Sequence, residues 1–530
     1  MRRWNGWGDD AVDFPLPANA HRFLTEKIGA GNRLPDAQFE EVLKKVPPCR
    51  LPDHPLVLKS PGERLRHACG QSLQDWIALR SGNLNAFPDG VAYPETSEDV
   101  QALVTYAQAA GAAVIPYGGG TSVVGHITPG RTDKPVLTMD LSRMNRLVDL
   151  DKKSQVATFG AGATGPDIEA QLRAQGFTLG HFPQSFELST VGGWIATRSS
   201  GQQSLRYGRI EELFAGARMV TPVGPYNVPP FPASAAGPDL RHVVLGSEGR
   251  LGILTEVLVR ITPLPEQETF YVVFFPSWQR AVEAVRKAIQ AKVFLSMLRL
   301  SGPVETETQL ALGGHERLVG LYEKVLAWRG SGPGKCMLVM AVTGTRAQCR
   351  SARRLASRVL KGATGFLTGR YLGRKWVENR FRTPYLRNTL WEKGYGVDTF
   401  ETATDWPKVD HMMTAMESAL HDVLEKEGER VHAFSHLSHL YSQGASVYTT
   451  AIFRLGDNHD ATLSRWQAMK AAVSRAIISL GGTISHQHGV GTDHAPYLSA
   501  EKGELGIEAL KAALRVFDPE GIMNPGKLVP

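Results

Sequence analysis

The chain has few cysteines and no long apolar run, and both absences limit the classes of protein to which it can belong. Four cysteines, at positions 49, 69, 336 and 349, occur among 530 residues, and no two form a CxxC pair. This spacing favours neither a disulfide framework nor a cysteine zinc site, and it suits a reducing compartment. No apolar run reaches the ~18 residues of a membrane-spanning helix. The sequence therefore predicts no transmembrane segment.

Positively charged residues slightly outnumber negatively charged ones. Lysine and arginine number 59 against 52 acidic residues, a formal net charge of +7. Such a balance suits anionic small molecules or an acidic membrane surface. No nucleic-acid recognition motif is present, so no nucleic-acid partner is expected. The first residues lack the apolar core of a secretion signal, and we expect a cytoplasmic protein, with peripheral membrane contact as a further hypothesis.

Glycine, by contrast, is abundant and clustered, with 54 residues. The segment Pro116-Tyr-Gly-Gly-Gly-Thr-Ser122 follows a predicted strand over Ala112–Pro116. Successive glycines allow a tight turn that points several N–H groups into one concavity, which binds phosphate. No Gly-Lys-Ser/Thr follows, which excludes a Walker loop. Pro129-Gly130 stands where a dinucleotide fingerprint would continue as a helix, so that motif is excluded too.

Three further stretches rich in glycine and hydroxyl residues follow. They are Gln184–Gly193, Thr197–Gly201 and Gly246–Ile253. Four such loops within about 140 residues are too many for ordinary turns. Together they predict the wrapping of a long, phosphate-bearing ligand.

The chain is longer than one ordinary domain, and its predicted pattern of helices and strands changes near residues 85 and 266. Residues 1–84 are predicted to be mostly helical, with Arg64–Leu79 the best helical stretch. Residues 85–266 form a predicted α+β unit that includes a helix over Ser97–Ala110 with Ser97 as its N-cap. Residues 267–505 form a second α+β unit. The segment 506–530 is expected to return to the ligand site, and its Pro and Gly residues exclude a regular helix over 518–527.

The order of the loops resembles the vanillyl-alcohol oxidase type of FAD-binding fold. Four motifs sharpen the resemblance to the alkyldihydroxyacetonephosphate synthase (alkylglycerone-phosphate synthase) family. These are Trp4-Asn-Gly-Trp-Gly8, Ser189-Thr-Val-Gly-Gly-Trp194, Phe400-Glu-Thr-Ala403 and Ser485-His-Gln-His-Gly-Val-Gly491. The resemblance runs from residue 4 nearly to the end. It implies an α+β fold in which two α+β subdomains bind FAD and an α+β cap domain covers it, and a homodimeric enzyme.

The resemblance also implies which residues contact FAD. Thr121 stands where relatives with covalent flavin often carry a histidine, so non-covalent FAD is expected. The predicted contacts are Pro116, Tyr117, Gly118, Gly119, Gly120, Thr121, Ser122, Gln184, Ser185, Phe186, Glu187, Leu188, Ser189, Thr190, Thr197, Arg198, Ser199, Ser200, Glu248, Gly249, Arg250, Leu251, Gly252, Ile253 and Leu254.

Tyr441, His486 and His488 are the candidate catalytic residues. A tyrosine can transfer a proton when its pKa falls from about 10, and Tyr441 matches the catalytic tyrosine of the family. His486 and His488 would share one side of a strand and would handle protons. The family pattern has three consecutive histidines, whereas this chain has Gln487 in the middle. The alternative is a pair of histidines that only line a polar pocket.

A metal site is a further interpretation of the histidines at 432, 436, 439, 486 and 488. Related hydroxy-acid dehydrogenases place an acidic ligand where this chain has Gln487. The loss of that carboxylate weakens the case, and we expect no metal.

Arg387 and Arg299 are candidate substrate-binding residues. Guanidinium groups pair with phosphate through two hydrogen bonds. Both positions match arginines of the family, and Arg387 is the stronger candidate. The substrate is therefore expected to be lipid-like and to carry a phosphate.

Residues 345–390 contain twelve basic side chains and one acidic one, Glu378. Tyr371, Leu372, Trp376 and Phe381 lie between the later basic residues. Such a stretch can lie on an anionic bilayer, and it can equally be the solvated face of a cap helix.

The family resemblance implies a redox-neutral use of FAD. The acyl group of acyl-dihydroxyacetone phosphate leaves as a fatty acid and a fatty alcohol replaces it, which yields an ether-lipid precursor. An FAD-dependent oxidoreductase acting on a hydroxy acid or alcohol is the alternative. A flavin-binding protein without activity is disfavoured by the presence of Tyr441 and both histidines.

Overall fold

A computed structural model describes residues 2–130, 132–312 and 316–529. Strands of the first half are β1 (Val57–Leu58), β2 (Gly90–Ala92), β3 (Ala113–Tyr117), β4 (Val136–Asp140), β5 (Leu147–Asp151), β6 (Val156–Gly160), β7 (Phe177–Thr178), β8 (Phe214–Thr221), β9 (Gly224–Val228), β10 (Ile253–Arg260) and β11 (Thr262–Pro263). Those of the second half are β12 (Gln267–Phe275), β13 (Met297–Ser301), β14 (Cys336–Gly344), β15 (Phe366–Leu367), β16 (Tyr395–Asp405), β17 (Val431–Leu440) and β18 (Gly444–Arg454).

The helices alternate with these strands along the chain. The first ten are α1 (Ala18–Ile28), α2 (Phe39–Leu43), α3 (Pro61–Arg66), α4 (Leu73–Ser81), α5 (Ser97–Ala109), α6 (Gly165–Arg173), α7 (Val191–Thr197), α8 (Ser204–Tyr207), α9 (Ile210–Leu213) and α10 (Arg241–Val244). The others are α11 (Trp278–Gln290), α12 (Pro303–Leu312), α13 (Glu316–Trp328), α14 (Arg346–Gly362), α15 (Tyr371–Asn379), α16 (Leu386–Glu392), α17 (Val409–Glu425), α18 (His459–Ser479) and α19 (Leu498–Phe517). Short 3-10 helices span Thr383–Tyr385, Trp406–Lys408 and Ala495–Tyr497.

The first unit contains two sheets. A four-stranded sheet has the order β1-β2-β4-β3, with parallel pairing of β2 and β3 to β4. A five-stranded antiparallel sheet has the order β5-β6-β10-β8-β9. Side chains from both sheets and from α5, α6 and α7 share one apolar core. The predicted pair of α+β subdomains is therefore present.

The second unit is one antiparallel sheet of seven strands in the order β15-β12-β14-β13-β17-β18-β16. Helices α11, α14, α17 and α18 pack on one face, and α13 and α15 pack on the other. Every residue of β14 is consequently buried, as expected for a strand covered on both faces. Helix α17 shows the matching pattern, since its buried residues recur every three or four positions: Val409, Met412, Met416, Leu420 and Leu424.

Two helix predictions need correction. The helix expected over Arg64–Leu79 is two helices, α3 and α4, because Gly70 donates its N–H to Asp75 and Ser72 starts a new helix with a capping box. The N-cap of α5 is Thr96 and not Ser97. Asp99 lies three residues after Thr96 and closes a capping box, whereas Val100, three residues after Ser97, has no acceptor to offer.

The N-terminal segment packs in the cores of both units, and the C-terminal segment packs in the core of the first unit. Trp7, Leu73 and Trp76 pack in the core of the second unit, whereas Leu51 and Val57 pack in the first. The sequence places the return to the first unit at residue 506. The packing already includes Ile484 and Leu498 in that core, so the return begins about one helix earlier.

The segment Val431–Leu440, for which the sequence predicts no strand, is β17 and carries His432, His436 and His439. The tail over 518–527 contains no helix, as predicted. No helix in the described ranges is long and apolar enough to cross a membrane.

Trp466→Phe should lower the melting temperature by several degrees. The Trp466 Nε1–H donates to Asp398 at 2.6 Å, and both residues are buried, so the phenylalanine leaves a carboxylate without its donor. Loss of such a partner costs about 1–3 kcal/mol. Trp328→Phe is the matched control because Trp328 is 79% exposed. Equal melting temperatures for both variants would contradict the assignment.

Candidate active site

The four predicted ligand loops converge at one end of the first unit. Gly119 lies against Leu188, and Gly249 lies against the ring of Pro116. The Glu248 N–H donates to the carbonyl of Ala196 at 2.9 Å, at the end of α7. Loops that are far apart in sequence therefore lie against one another, and their individual contacts with the cofactor stay predictions.

The glycine loop after β3 has no room for side chains. A Cβ on Gly119 would lie 1.8 Å from the Leu188 carbonyl oxygen, and one on Gly118 would lie 2.3 Å from Thr190 Oγ1. Gly120 has φ +62°, a left-handed conformation that glycine adopts without cost. Each of the three positions therefore favours glycine: Gly118 lies against a side chain, Gly119 lies against the backbone of the second loop, and Gly120 has a left-handed conformation.

Hydroxyl residues around α7 order the second and third loops. Thr190 caps the helix by accepting from the Gly193 N–H, and Ser189 Oγ accepts from Trp194 Nε1 at 2.7 Å. Ser199 Oγ pairs with His181 Nε2 at 2.7 Å. Ser200 Oγ is buried and has no hydrogen-bond partner among the described residues. The glycine cradle and this unpaired hydroxyl fit a phosphate-bearing cofactor.

Most side chains of the fourth loop do not face the concavity. Leu251, Ile253 and Leu254 belong to the apolar core of the first unit. Arg250 donates to the carbonyl of Lys527 at 2.6 Å and to that of Val529. A cofactor can therefore meet this loop mainly through its backbone.

Residues 485–491, here called the histidine loop, are held by Glu401 on β16. Its buried carboxylate accepts the backbone N–H groups of His486, Gln487 and His488 at 3.0–3.1 Å, and Ser485 Oγ donates to it at 2.7 Å. Successive N–H groups of a strand point to opposite sides. His486 and His488 therefore do not lie on a strand, where they would share one side, and the segment is a bend around one carboxylate.

A second buried carboxylate, Glu248, holds the other end of the histidine loop. It accepts the N–H groups of Val490 at 2.6 Å and Gly491 at 2.9 Å. Its Oε1 lies 3.1 Å from His126 Nε2, and His126 Nδ1 pairs with Ser122 Oγ in the glycine loop. Glu248 thus connects the histidine loop to the predicted phosphate-binding loop.

Tyr441 and His486 form a direct pair. The Tyr441 hydroxyl lies 2.6 Å from His486 Nε2. His486 Nδ1 lies 3.7 Å from Glu401 Oε2, which favours the tautomer that carries its proton on Nδ1. In that tautomer Nε2 accepts the Tyr441 O–H, while Glu401 holds His486 in place through its backbone N–H.

Burial and one arginine set the charge of this pair. Burial raises the pKa of Tyr441 to about 12, and Arg209 opposes that rise. Arg209 also donates to the carbonyl of His486 at 3.0 Å. Burial lowers the pKa of His486 well below its usual value, and it lowers that of the neighbouring His439 to about 3. The imidazoles are therefore neutral, and His486 can accept the hydrogen bond of the Tyr441 hydroxyl.

His488 lies on the other side of the histidine loop. Its ring packs edge-on against Tyr448, with centroids 5.6 Å apart, and burial lowers its pKa. Gln487 Oε1 is buried without a hydrogen-bond partner among the described residues. In the part of the chain that the structure describes, no group of three His, Cys, Asp or Glu side chains could hold a metal ion.

The two candidate phosphate ligands differ in their surroundings. Arg387 stacks over Trp76 at 4.4 Å and donates to the Gln71 carbonyl, and no described carboxylate lies within ion-pairing distance. Arg299 is paired with the buried Glu305 at 2.5 Å. Burial acts to raise the pKa of Glu305, but Arg299 and His436 outweigh it and hold it low. Arg387 thus keeps its charge free for a ligand, and Arg299 does not.

Sequence reasoning missed Glu401 and Arg209, and it predicted Glu248 as a cofactor contact but not as a partner of the histidine loop. Glu401 lies in the Phe400–Ala403 motif and Glu248 in a predicted cofactor loop, but nothing in the sequence shows that both carboxylates bind the same loop. Arg209 follows a short glycine turn and carries no motif.

The comparisons with known proteins identify the family of the chain. Residues 88–226 match the family model described as FAD binding domain, and residues 264–528 match FAD linked oxidases, C-terminal domain. The alkyldihydroxyacetonephosphate synthase of Dictyostelium discoideum is 31% identical over 94% of this chain and 82% of its own length. That of Trypanosoma brucei brucei is 30% identical over 100% of this chain and 92% of its length.

A solved structure of alkyldihydroxyacetonephosphate synthase superposes with a TM-score of 0.85 at 26% identity and covers 99% of both chains. The fold and the site thus define a flavoprotein of the FAD-linked oxidase class, with FAD as its cofactor. Within that class, the chain belongs to the alkyldihydroxyacetonephosphate synthase family.

Acid precipitation of the purified protein should release its FAD into the supernatant. Thr121 in the glycine loop has no nucleophilic nitrogen that could form a bond to flavin. Absorbance of the supernatant and of the washed pellet is the measurement. A yellow pellet would show a covalent link and contradict the prediction.

Proposed function

We propose that this enzyme exchanges the acyl group of acyl-dihydroxyacetone phosphate for a fatty alcohol, giving an alkyl ether and a fatty acid. The Tyr441–His486 pair, 2.6 Å apart and positioned by the contact of Glu401 with the His486 backbone N–H, is the observation that carries the proposal. A neutral phenol hydrogen-bonded to a neutral imidazole can both give and take a proton. That suits a reaction in which one oxygen substituent leaves and another enters.

Each residue of the site has a separate role in the proposed reaction. When bound, FAD supplies the covalent and electron-storing chemistry of the exchange, with no net oxidation. Tyr441 and His486 hold the mobile proton between the phenolic oxygen and Nε2. Glu401 fixes the position of His486, and Arg387 offers its guanidinium to the substrate phosphate.

Tyr441→Phe should reduce ether formation at least about a hundredfold while FAD stays bound, because it removes only the transferable proton. The measurement is ether product formed from acyl-dihydroxyacetone phosphate and a fatty alcohol, without an electron acceptor. Tyr207→Phe is the matched control, since Tyr207 has a raised pKa of about 12 but forms no hydrogen bond with the histidine loop within the described residues. Full activity of Tyr441→Phe would contradict the role of the phenol.

The oxidoreductase hypothesis has a specific observation in its favour, the match of residues 264–528 to FAD linked oxidases. An oxidoreductase needs an electron acceptor for each turnover, and the exchange does not. If the wild-type protein makes no ether but oxidises a hydroxy acid or alcohol when an acceptor is added, the oxidoreductase hypothesis replaces the main one.

We also propose cytoplasmic action with peripheral membrane contact through residues 345–390. Arg350, Arg354 and Arg358 lie on the exposed face of α14, which also carries the exposed Leu355. Trp376 packs inward on Phe270, so the membrane-facing surface is chiefly basic. A lipid substrate favours an enzyme that rests on the bilayer.

Vesicles that contain anionic lipid should sediment the wild-type protein, and high salt should release it. A triple change of Arg350, Arg354 and Arg358 to Gln should abolish sedimentation and leave the melting temperature unchanged, because all three side chains are exposed. Equal binding to neutral vesicles would contradict the electrostatic contact.

We also propose that the protein is a homodimer. The exposed Leu505 and Val516 on α19 support this proposal, and light scattering tests it.

A further inference from the structure

The motif Trp4-Asn-Gly-Trp-Gly8 supported the family resemblance but has no role in the chemistry described above. In the structure, residues 2–9 form a strap closed on itself. Arg3 N–H donates to the Gly8 carbonyl at 2.9 Å, and Arg2 and Asp9 form an isolated β-bridge. The strap lies between the second unit and the glycine loop of the first.

The second unit holds one end of the strap closely. Asn388 Oδ1 accepts the Trp7 N–H at 3.0 Å, and Asn388 Nδ2 donates to the Trp7 carbonyl at 2.9 Å. Gly8 has φ +80°, and a Cβ there would lie 2.2 Å from the Tyr385 ring. The two glycines of the motif are needed because the strap packs against Asn388 and Tyr385 through its backbone.

The middle of the strap rests on α4 and the turn before it. Arg80 Nε donates to the Asn5 carbonyl at 2.8 Å, and Gln71 Nε2 donates to the Gly6 carbonyl at 3.3 Å. Gln71 in turn donates its N–H to the Ser122 carbonyl in the glycine loop at 2.6 Å. The strap therefore has a fixed position relative to that loop.

The other end of the strap places Arg2 on the glycine loop. Arg2 Nη2 donates to the carbonyl of Gly119, and its guanidinium lies 6.0 Å from the Tyr117 ring centroid. In a trans peptide the C=O and the following N–H point in opposite directions. Arg2 therefore turns the N–H of Gly120 away from itself.

We propose that the strap positions the cofactor loop, with Arg2 fixing the Gly119–Gly120 peptide so that the Gly120 N–H is presented to a phosphate of FAD. Arg2 is a positioning residue, since it acts through the peptide and not on the reacting atoms. The inference rests on the FAD cofactor of the proposed function, but it does not depend on which reaction the enzyme catalyses.

The test is the rate at which FAD leaves the diluted holoenzyme, followed by the rise of free-flavin fluorescence. Arg2→Met removes the hydrogen bond to Gly119 and should speed release about five- to tenfold. Arg2→Lys, which can still donate, should lie between Arg2→Met and the wild type. Arg3→Met is the matched control: it loses the same charge one residue away, but Arg3 donates to the Val12 carbonyl and not to the glycine loop.

A second variant tests the strap without touching Arg2. Gly8→Ala introduces a Cβ where Tyr385 packs, so it should displace the strap and speed FAD release to a similar extent. Because both changes act on one contact, the double variant should release FAD no faster than the faster single variant. Melting temperatures of the variants show whether each chain is folded.

Three results would overturn the inference: wild-type release from Arg2→Met, equal acceleration by Arg2→Met and Arg3→Met, or full additivity in the double variant. Each is distinct from failure of the proposed function. A wild-type protein that holds no FAD would contradict the cofactor, and one that holds FAD but forms no ether would contradict only the reaction.

Discussion

The binding of the histidine loop by two buried carboxylates is the constraint on which the active site depends. Glu401 comes from the sheet of the second unit, and Glu248 comes from a cofactor loop of the first. Between them they accept five of the six backbone N–H groups of residues 486–491, and the sixth, that of Gly489, donates to Ser485 Oγ. One short segment thus fixes the two units against each other and places His486 at Tyr441.

This arrangement explains how a polar site is kept in a low-dielectric interior. The charges of Glu401 and Glu248 are spread over backbone donors, and the imidazoles stay neutral because burial lowers the pKa of each and disfavours its charged form. Arg209 is a cation beside the Tyr441–His486 pair. It donates to the His486 carbonyl, forms an ion pair with Glu211 at 3.2 Å, and acts to lower the pKa of the phenol through its charge and a hydrogen bond.

The sequence predicted the glycine loops, the two α+β units and the candidate catalytic residues Tyr441 and His486. Each of these predictions rests on the chemistry of a short segment. Gly118 to Gly120 indicate a close backbone approach, and Tyr441 and His486 belong to segments that carry the family resemblance. The error over His486 and His488 had a non-local cause, since a carboxylate about 85 residues away bends the segment. Arg299 is a phosphate candidate by its charge, and only the fold reveals that Glu305 already neutralises it.

Residues from both ends of the chain meet at the glycine loop, and this has a consequence for biosynthesis. Asn524 donates to the carbonyl of His126, 398 residues earlier, and Met523 pairs with Val114 on the strand that leads into the loop. The loop therefore lacks part of its support until residues 523 and 524 have left the ribosome. A chain that lacks residues 523 and 524 would therefore lose two contacts that hold the predicted cofactor loop and the strand before it.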